Sequence, residues 1–239
     1  MQKAIRISAL VIVVGFLVSL VVFNAIAQKS TDMEVWNERM SKGDAATAKH
    51  HFIMYTDIFC PYCDKFSDAV AANLDDFEKN YIQDKEILFE IRVTDVNYVN
   101  GHSDNSRPAG LAAYCAAEQG NFWDYYYALL GKIFADYHSK GIGVDKTSPR
   151  IPTLETRYFV EAAEGIESID SSKLASCIEN EETADELDKN TTRAQKKING
   201  GVPHFAFDKY HADGFLGYWD TAKDYEQVKI LMDAGLASK

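Results

Sequence analysis

The hydrophobic and polar positions divide the chain into three parts. Residues 7–27 are uncharged and almost wholly apolar, residues 28–49 are mainly polar, and residues 50–239 carry strand-like and helix-like periodicities. At about 1.5 Å per residue, a helix over the first run would cross the roughly 30 Å core of a bilayer. A buried core helix of that length would show a polar face, which this run lacks. The pattern predicts a membrane or signal helix within residues 1–27, then a spacer, then a globular domain.

Two interpretations of the N-terminal run remain open. The Ala-Ile-Ala sequence at 25–27 resembles a signal-peptide cleavage site, whereas the run exceeds the usual ~7–15 apolar residues of a signal and favours an uncleaved anchor. Lys3 and Arg6 precede the run and place the N-terminus in the cytoplasm. In either case we expect an extracytoplasmic domain, on the periplasmic or cell-surface side. It is anchored in the membrane by residues 7–27 or secreted after cleavage near Ala27.

Residues 51–93 have the pattern of a β-α-β unit. A continuous apolar run at 52–55 is typical of a strand buried on both faces. Helical spacing then connects five apolar residues, Phe66, Val70, Leu74, Phe77 and Tyr81. Strict alternation at 87–93 predicts a second strand with one apolar face. Because a helix separates the two strands, we expect them to pair in parallel.

The rest of the chain predicts a helical block, a strand hairpin and a closing helix. Helical patterns occupy about 102–182, and the acidic residues within 161–188 indicate a solvated helical face. Apolar residues at 205–207 and 215–218 predict the two strands of a hairpin, and 224–236 has helical spacing. The predicted fold class is α/β, a sheet with helices on both faces and a helical insertion.

The composition indicates a globular domain and argues against two classes of binding partner. The chain has 239 residues, of which 46% are hydrophobic and 26% charged, and this is ample for a packed core. Its formal net charge is −11, and without the first 27 residues, which carry two basic and no acidic side chains, it is −13. This acidic excess argues against nucleic-acid binding and against a polybasic face that binds membranes.

Candidate chemistry is concentrated in two of the four cysteines. Cys60 and Cys63 enclose a Pro-Tyr dipeptide between the first predicted strand and helix, and Pro61 suits the first helical position. Helix N-termini lower the pKa of a cysteine thiol from about 8.5 to roughly 3.5–7.5, which favours the nucleophilic thiolate. Cys63 is close enough in sequence to resolve a mixed disulfide at Cys60. The spacing and its context therefore predict a redox-active pair.

A zinc site is the main alternative for this pair. Structural zinc needs four ligands, whereas Cys115 and Cys177 are isolated in the sequence and no histidine pair follows at finger spacing. We therefore expect no metal and no organic cofactor, and a redox-active disulfide as the only reactive group.

The Gly-Gly-Val-Pro sequence at 200–203 is a second candidate element. Its position before a predicted strand suits a cis X–Pro bond, and an ordinary loop proline is equally compatible with it. A cis proline facing the cysteines would present the backbone of Val202 to an extended substrate. His204 either approaches the cysteine pair and stabilises a thiolate or faces away, because alternate strand residues point to opposite sides.

Three segments of the chain together carry a family resemblance. They are Asp57-Ile58-Phe59-Cys60-Pro61-Tyr62-Cys63, the stretch 115–123 (Cys-Ala-Ala-Glu-Gln-Gly-Asn-Phe-Trp) and Gly201-Val202-Pro203. In this order they resemble the extracytoplasmic DsbA-like thiol–disulfide oxidoreductases, over about residues 50–237. The resemblance implies a thioredoxin-like fold with an inserted helical domain at about 102–182. It also implies the roles of the site residues, with Cys60 as nucleophile, Cys63 as resolving cysteine, and Pro61, Tyr62, Val202 and a cis Pro203 as active-site support.

Two features bear on how the chain fits this family. The Pro61-Tyr62 dipeptide also occurs in glutaredoxins and isomerase-type relatives, whereas Val202 before the proline favours the oxidase branch. Many relatives have a buried acid six residues before the first cysteine, where this chain has Met54. Asp57 is the nearest acid and is a candidate for proton handling, with a plain strand-end turn residue as the alternative.

Cys115 and Cys177 are candidates for a structural disulfide in the helical insertion. Both lie in predicted helices, and an extracytoplasmic compartment is oxidising. The enclosed loop of about 60 residues would add roughly 4 kcal/mol in the chain-entropy model. The alternative is two free, buried cysteines that pack as small apolar residues.

The sequence thus predicts an enzyme that introduces disulfide bonds into exported proteins. Its expected partners are reduced or unfolded exported proteins, together with a membrane redox partner that the resemblance implies and that reoxidises the pair. A disulfide reductase or isomerase of the same fold is the first alternative. A non-catalytic thiol-binding or metallochaperone module is the second.

Overall fold

The computed structural model describes residues 36–197, 201–207, 210–215 and 217–238. Residues Asn37–Lys239 belong to one compact unit. The predicted N-terminal membrane or signal helix at 7–27 lies outside the described residues. Within the described ranges, no helix is both long enough and apolar enough to span a membrane.

A five-stranded mixed sheet forms the centre of this unit. Its strands are β1 (Ser41–Lys42), β2 (His50–Thr56), β3 (Ile87–Val93), β4 (His204–Phe207) and β5 (Tyr210–Asp213). They lie in the order β1-β3-β2-β4-β5. Strands β2 and β3 pair in parallel, as the β-α-β pattern predicts, and the other three pairings are antiparallel. The predicted thioredoxin-like α/β architecture is confirmed.

Helices connect the strands and cover the sheet. Between β2 and β3 lie α1 (Pro61–Ala72), α2 (Leu74–Phe77) and a π-helical segment (Glu78–Gln83). Between β3 and β4 lie α3 (Val96–Val99), α4 (Ser106–Glu118), α5 (Phe122–Asp136), α6 (Thr156–Glu161), α7 (Ser171–Glu179) and α8 (Ala184–Lys197). Short 3-10 turns occupy Glu38–Met40 and His138–Lys140, and α9 (Thr221–Ala237) closes the chain.

The central strand β2 is buried on both faces because each face has its own helical cover. Phe52 and Met54 point into the main core, which α1, α5 and α9 share. Ile53 and Tyr55 point to the opposite face, where Ala194 of α8 packs against them. Two covered faces explain why residues 52–55 read as a continuous apolar run rather than as an alternating strand.

The sequence predicts one apolar face for strand β3. In the structure all seven of its residues are buried, on both faces. Glu90 and Arg92, on the side predicted to be polar, are 2% and 1% exposed. The Arg92 guanidinium donates to both oxygens of the Glu90 carboxylate, over 2.8 and 3.0 Å, and His51 Nε2 lies 2.8 Å from Oε2 of the same carboxylate. Burial of these charges is tolerated because they are paired within hydrogen-bond distance.

The predicted polar spacer at 28–49 includes residues that belong to the sheet. Ser41 and Lys42 pair with Glu90 and Phe89 as the edge strand β1. Immediately before this strand, Glu38–Met40 forms a 3-10 turn. A strand of two residues is too short to give an alternating pattern, and so the sequence did not reveal it.

The C-terminal hairpin pairs β4 with 210–213 rather than with the predicted 215–218. Phe215 is buried and its ring packs edge-to-face against Phe66 of α1, with 5.4 Å between ring centres. The apolar character that suggested a strand at Phe215 thus reflects packing against a helix.

The helical insertion contains a disulfide bond between Cys115 of α4 and Cys177 of α7. Their Cα atoms are 6.0 Å apart and 62 positions separate them in the chain. The bond joins two helices that pack against each other, and the alternative of two free cysteines is wrong.

Candidate active site

The Cys60–Cys63 segment forms the first turn of α1, directly after the central strand. Cys60 occupies the N-cap with extended backbone angles, and Pro61 occupies the first helical position, where a missing N–H is not needed. The backbone N–H groups of Cys63 and Asp64 donate to the carbonyl oxygen of Cys60 over 3.0 and 3.1 Å. The sulfur of Cys60 therefore lies at the N-terminus of the helix, where the helix dipole favours negative charge.

The two cysteines of this turn lie in unlike environments. Both thiols are free, and Cys60 is 5% exposed whereas Cys63 is fully buried. Burial raises the pKa of the Cys63 thiol well above its usual value, and the adjacent Cys60 sulfur raises it further. Cys63 is thus held as a neutral thiol behind Cys60, and Cys60 is the more exposed cysteine of the pair.

The Val202–Pro203 segment faces the Cys60 sulfur. Its peptide bond is cis, as the family resemblance implies. The Cys60 thiol donates to the carbonyl oxygen of Val202 over 3.3 Å, and the backbone N–H of Gly214 donates to the Pro203 carbonyl over 2.8 Å. The main chain before the proline is therefore fixed beside the reactive sulfur.

A groove of about 520 Å³ opens next to the cysteine turn. One wall is formed by Phe59, Cys60, Pro61, Tyr62 and Val202, and the far wall by segments of 97–104 and 143–151. Arg150 ties the two segments of the far wall together, because its guanidinium donates to the carbonyl oxygens of Gly101 and His102 over 3.0 and 3.2 Å. Cys60 and Val202 therefore both line this groove.

Asp57, the candidate for proton handling, is fully buried beneath the turn. Its carboxylate accepts hydrogen bonds from the backbone N–H groups of Phe59 and Asn97 over 3.0 and 2.9 Å and from the Ser106 hydroxyl over 2.8 Å. Burial is the main reason that its pKa is raised to about 6. Asp57 is therefore both a turn residue and an ionisable group that joins the active-site turn to α3 and α4.

His204, the second candidate, points to the sheet edge beyond β4. Its Nδ1 lies 2.5 Å from an Asp213 carboxylate oxygen and its Nε2 lies 3.2 Å from Nδ1 of His211. Its strand partner is Tyr55, which belongs to the face of the sheet opposite the main core. Both ring nitrogens thus contact residues of β5. Of the two orientations that the sequence allows, His204 has the one that faces away from the cysteine pair.

Several contributors to the site could not be identified from the sequence. Asn97, Ser106 and Arg150 meet the turn or the groove only through the fold, because between 37 and 93 positions separate them from Cys60 and Asp57 along the chain. Among the described residues, no group of three or more His, Cys, Asp or Glu side chains is placed to hold a metal ion.

Comparisons with known proteins agree with this architecture. A family model described as thioredoxin, Thioredoxin_4, matches residues 37–234. No curated protein matches the chain by sequence. Oxidised BdbD from Bacillus subtilis is similar in structure, with a TM-score of 0.57 and 18% identity over 82% of this chain and 92% of that chain.

Two further solved structures share the fold at similarly low identity. DsbA from Chlamydia trachomatis has a TM-score of 0.54 and 15% identity, over 88% of this chain and 99% of that chain. MdbA, a thiol-disulfide oxidoreductase from Corynebacterium diphtheriae, has a TM-score of 0.55 and 16% identity, over 82% of this chain and 88% of that chain. The family match and these neighbours confirm the predicted resemblance, and the chain belongs to the thioredoxin family Thioredoxin_4, with a DsbA-like fold.

Proposed function

We propose that this protein is an extracytoplasmic thiol–disulfide oxidoreductase that introduces disulfide bonds into exported proteins. The observation that carries the proposal is the placement of Cys60. Its sulfur lies at the N-terminus of α1, next to the Val202 carbonyl oxygen and in the wall of a groove, with the buried Cys63 behind it. Family membership and the DsbA-like fold support the same activity.

The proposed reaction is two successive thiol–disulfide exchanges. A substrate thiolate attacks the Cys60 sulfur of the oxidised pair, which forms a mixed disulfide and releases Cys63 as a thiolate that takes up a proton. A second substrate thiolate then attacks the substrate sulfur of the mixed disulfide, and Cys60 leaves as a thiolate. The substrate loses two electrons to the Cys60–Cys63 pair, and neither a metal nor an organic cofactor takes part.

The environments of the two sulfurs suit these roles. The helix N-terminus favours negative charge on Cys60 as it leaves the mixed disulfide. Burial favours the neutral thiol of Cys63, so that the released group is protonated and does not compete with the second substrate thiolate. Each sulfur therefore has the environment that its step requires.

Substrate binding is proposed to use the main chain of Val202. An extended segment can hydrogen-bond to this backbone as an added strand, and its side chains then enter the groove next to Cys60. Main-chain recognition accepts many sequences, which suits an enzyme that oxidises unrelated reduced proteins.

The direction of electron flow and the location are part of the proposal. Val202 before the proline favours the oxidase branch of the family, and stabilisation of the reduced form makes the disulfide a stronger oxidant. The apolar run at 7–27 supports export, either as a membrane anchor or as a cleaved signal. A membrane redox partner is then needed to take two electrons from the reduced pair.

The proposal is tested by oxidation of a reduced, unfolded protein whose native state contains disulfide bonds. We expect the oxidised full-length protein to form disulfides in this substrate and Cys60→Ala to be inactive. A double variant, Cys115→Ala with Cys177→Ala, is the matched control, because it removes the other cysteines and keeps the reactive pair. Equal activity of Cys60→Ala and wild type would contradict the proposal. Reduction of substrate disulfides in place of their formation would indicate the reductase alternative.

A further inference from the structure

His204 is a buried polar residue that directly follows the Val202–Pro203 segment. Its side chain is 2% exposed, with Nδ1 2.5 Å from Oδ1 of Asp213 and Nε2 3.2 Å from Nδ1 of His211. Because a carboxylate accepts hydrogen bonds, the Nδ1–H group of His204 donates to Asp213. Burial of the imidazole is tolerated because both of its nitrogens have a partner.

Packing alone does not require a histidine at this position of β4. Ala206, two residues later on the same face of the sheet, is buried without any polar side-chain atom. The His204 ring lies 5.9 Å from the Tyr55 ring, and an apolar ring would fill the same space. Only a hydrogen-bonding side chain, however, can bind Asp213. The histidine therefore adds a specific connection between β4 and β5 to the packing.

Two contacts between β4 and β5 together form a clamp at the start of β4. His204 and Asp213 are directly opposite each other in the strand register, and their side chains are hydrogen-bonded. The adjacent backbone N–H of Gly214 donates to the Pro203 carbonyl oxygen over 2.8 Å. The end of β5 thus holds two consecutive residues, Pro203 through its main chain and His204 through its side chain. We call these four residues the hairpin clamp.

The main chain of Val202 lies just beyond the hairpin clamp and has few contacts of its own. The pairing of β2 with β4 ends at Tyr55 and His204, so that Val202 is outside the sheet. Its carbonyl oxygen accepts the Cys60 thiol over 3.3 Å. Over the described ranges of the chain, the backbone N–H of Val202 donates to no other residue. The orientation of this main chain therefore depends on the clamped residues that follow it.

We propose that His204 is a positioning residue of the exchange reaction. Through its bond to Asp213 it holds the Val202 main chain where an extended substrate segment binds as an added strand beside Cys60. The inference rests on the proposed function, because the added strand is part of it. His204 faces away from the cysteine pair and acts only through the loop. A main chain that is fixed in advance lowers the ordering cost of substrate binding.

The first test is steady-state oxidation of a reduced, unfolded protein by the full-length enzyme, with glutathione disulfide as the terminal oxidant. His204→Phe keeps a ring in the space and removes both hydrogen bonds. We expect its KM for the protein substrate to rise about three- to tenfold, with kcat within about twofold of wild type. His204→Asn keeps an N–H donor for Asp213, and we expect its KM to stay within about twofold of wild type.

Two further variants separate the clamp from a general loss of packing. Asp213→Ala removes the same hydrogen bond from its half-exposed partner, which carries less risk of misfolding, and we expect the same rise in KM. His51→Phe is the matched control. His51 is also buried and lies 2.8 Å from a carboxylate, that of Glu90, but it is near the other end of β2 from the cysteine turn. We expect its KM to equal that of wild type.

The second test measures the clamp without any substrate. Hydrogen exchange of the Gly214 backbone N–H, followed by NMR, reports on its bond to the Pro203 carbonyl oxygen. Relative to wild type, we expect exchange to be about three- to tenfold faster in His204→Phe and Asp213→Ala. In His204→Asn and His51→Phe the rate should match wild type.

An unchanged exchange rate of Gly214 in His204→Phe and Asp213→Ala would overturn the role of His204, as would an unchanged KM. A rise in KM that His51→Phe shows equally, or that His204→Asn does not reverse, would also overturn it. Absence of substrate oxidation by wild type would instead contradict the proposed function. The exchange of Gly214 does not depend on oxidation, and the two failures are therefore distinguishable.

Discussion

The thiol of Cys60 donates a hydrogen bond to the carbonyl oxygen of Val202 over 3.3 Å. This contact links two segments that are 142 positions apart in the chain, the first turn of α1 and the loop that leads into β4. A backbone acceptor next to the reactive sulfur means that a substrate cysteine approaching Cys60 meets a fixed main chain. The proposed exchange reaction therefore takes place next to this contact.

The unlike environments of the two cysteines predict selective alkylation. Iodoacetamide should modify Cys60 of the reduced protein at neutral pH, because Cys60 is the more exposed and the helix N-terminus favours its charge. Cys63 should react at least about tenfold more slowly, since burial keeps it a neutral thiol. Mass spectrometry of the labelled peptides measures both rates. Comparable rates for the two residues would contradict the assigned roles.

The raised pKa of Asp57 predicts a pH-dependent contribution to stability. Between pH 4 and pH 7 the folded protein holds a proton on Asp57 that the unfolded chain releases, because the pKa is about 6 against a usual 3.8. Stability should therefore fall by roughly 3 kcal/mol from this group as the pH rises through that window.

Asp57→Asn removes this pH dependence. We expect the unfolding free energy of wild type, relative to Asp57→Asn, to fall as the pH rises from 4 to 7. Denaturant unfolding at several pH values measures the difference. Asp124→Asn, which changes an exposed carboxylate on α5, is the control. A wild-type and variant difference that stays constant with pH would show that Asp57 does not titrate in this window.

The disulfide in the helical insertion should stabilise the fold without taking part in exchange. Cys115→Ala with Cys177→Ala frees a loop closed over 62 positions, and we expect a loss of about 4 kcal/mol in unfolding free energy. The redox equilibrium of Cys60 and Cys63 should be unchanged. A large change in that equilibrium would show that the two cysteine pairs are coupled.

The position of Arg150 in the far wall of the groove predicts an effect on substrate binding without an effect on the reduction potential. Arg150→Ala loses both hydrogen bonds to the carbonyl oxygens of Gly101 and His102 and loosens the far wall of the groove. We expect KM for a reduced protein substrate to rise about two- to fivefold, with the reduction potential unchanged. Arg157→Ala is the control, because Arg157 is exposed and pairs with Glu161 within α6. An unchanged KM would indicate that substrates do not use this wall.

The sequence predicted those parts of the molecule that depend on local periodicity and on motifs. The parallel pairing of β2 and β3 followed from an apolar run, a helical stripe and an alternating run. The cysteine turn followed from the position of Cys60-Pro61-Tyr62-Cys63 between that run and that stripe. The strand pairing and the cysteine turn both depend on short-range patterns, because the residues of each pattern belong to the element that it predicts.

The features that the sequence did not predict depend on contacts between distant segments. β1 consists of two residues, and its pairing with β3 is visible only in the folded sheet. Phe215 was assigned to a strand because a residue that packs on a helix is as apolar as one in a strand. The ammonium of Lys65 on α1 lies 5.1 Å from the ring centre of Trp219, which precedes α9, and no local sequence pattern predicts that contact.

The most direct test of the central claim is the reduction potential of the Cys60–Cys63 pair in the full-length protein, measured against glutathione. An enzyme that introduces disulfide bonds should hold an oxidising pair, with a potential above about −180 mV, toward the roughly −120 mV of strong dithiol oxidants. A value near the −270 mV or so of thioredoxin would mean that the pair donates electrons to its substrates, and would contradict the oxidase account.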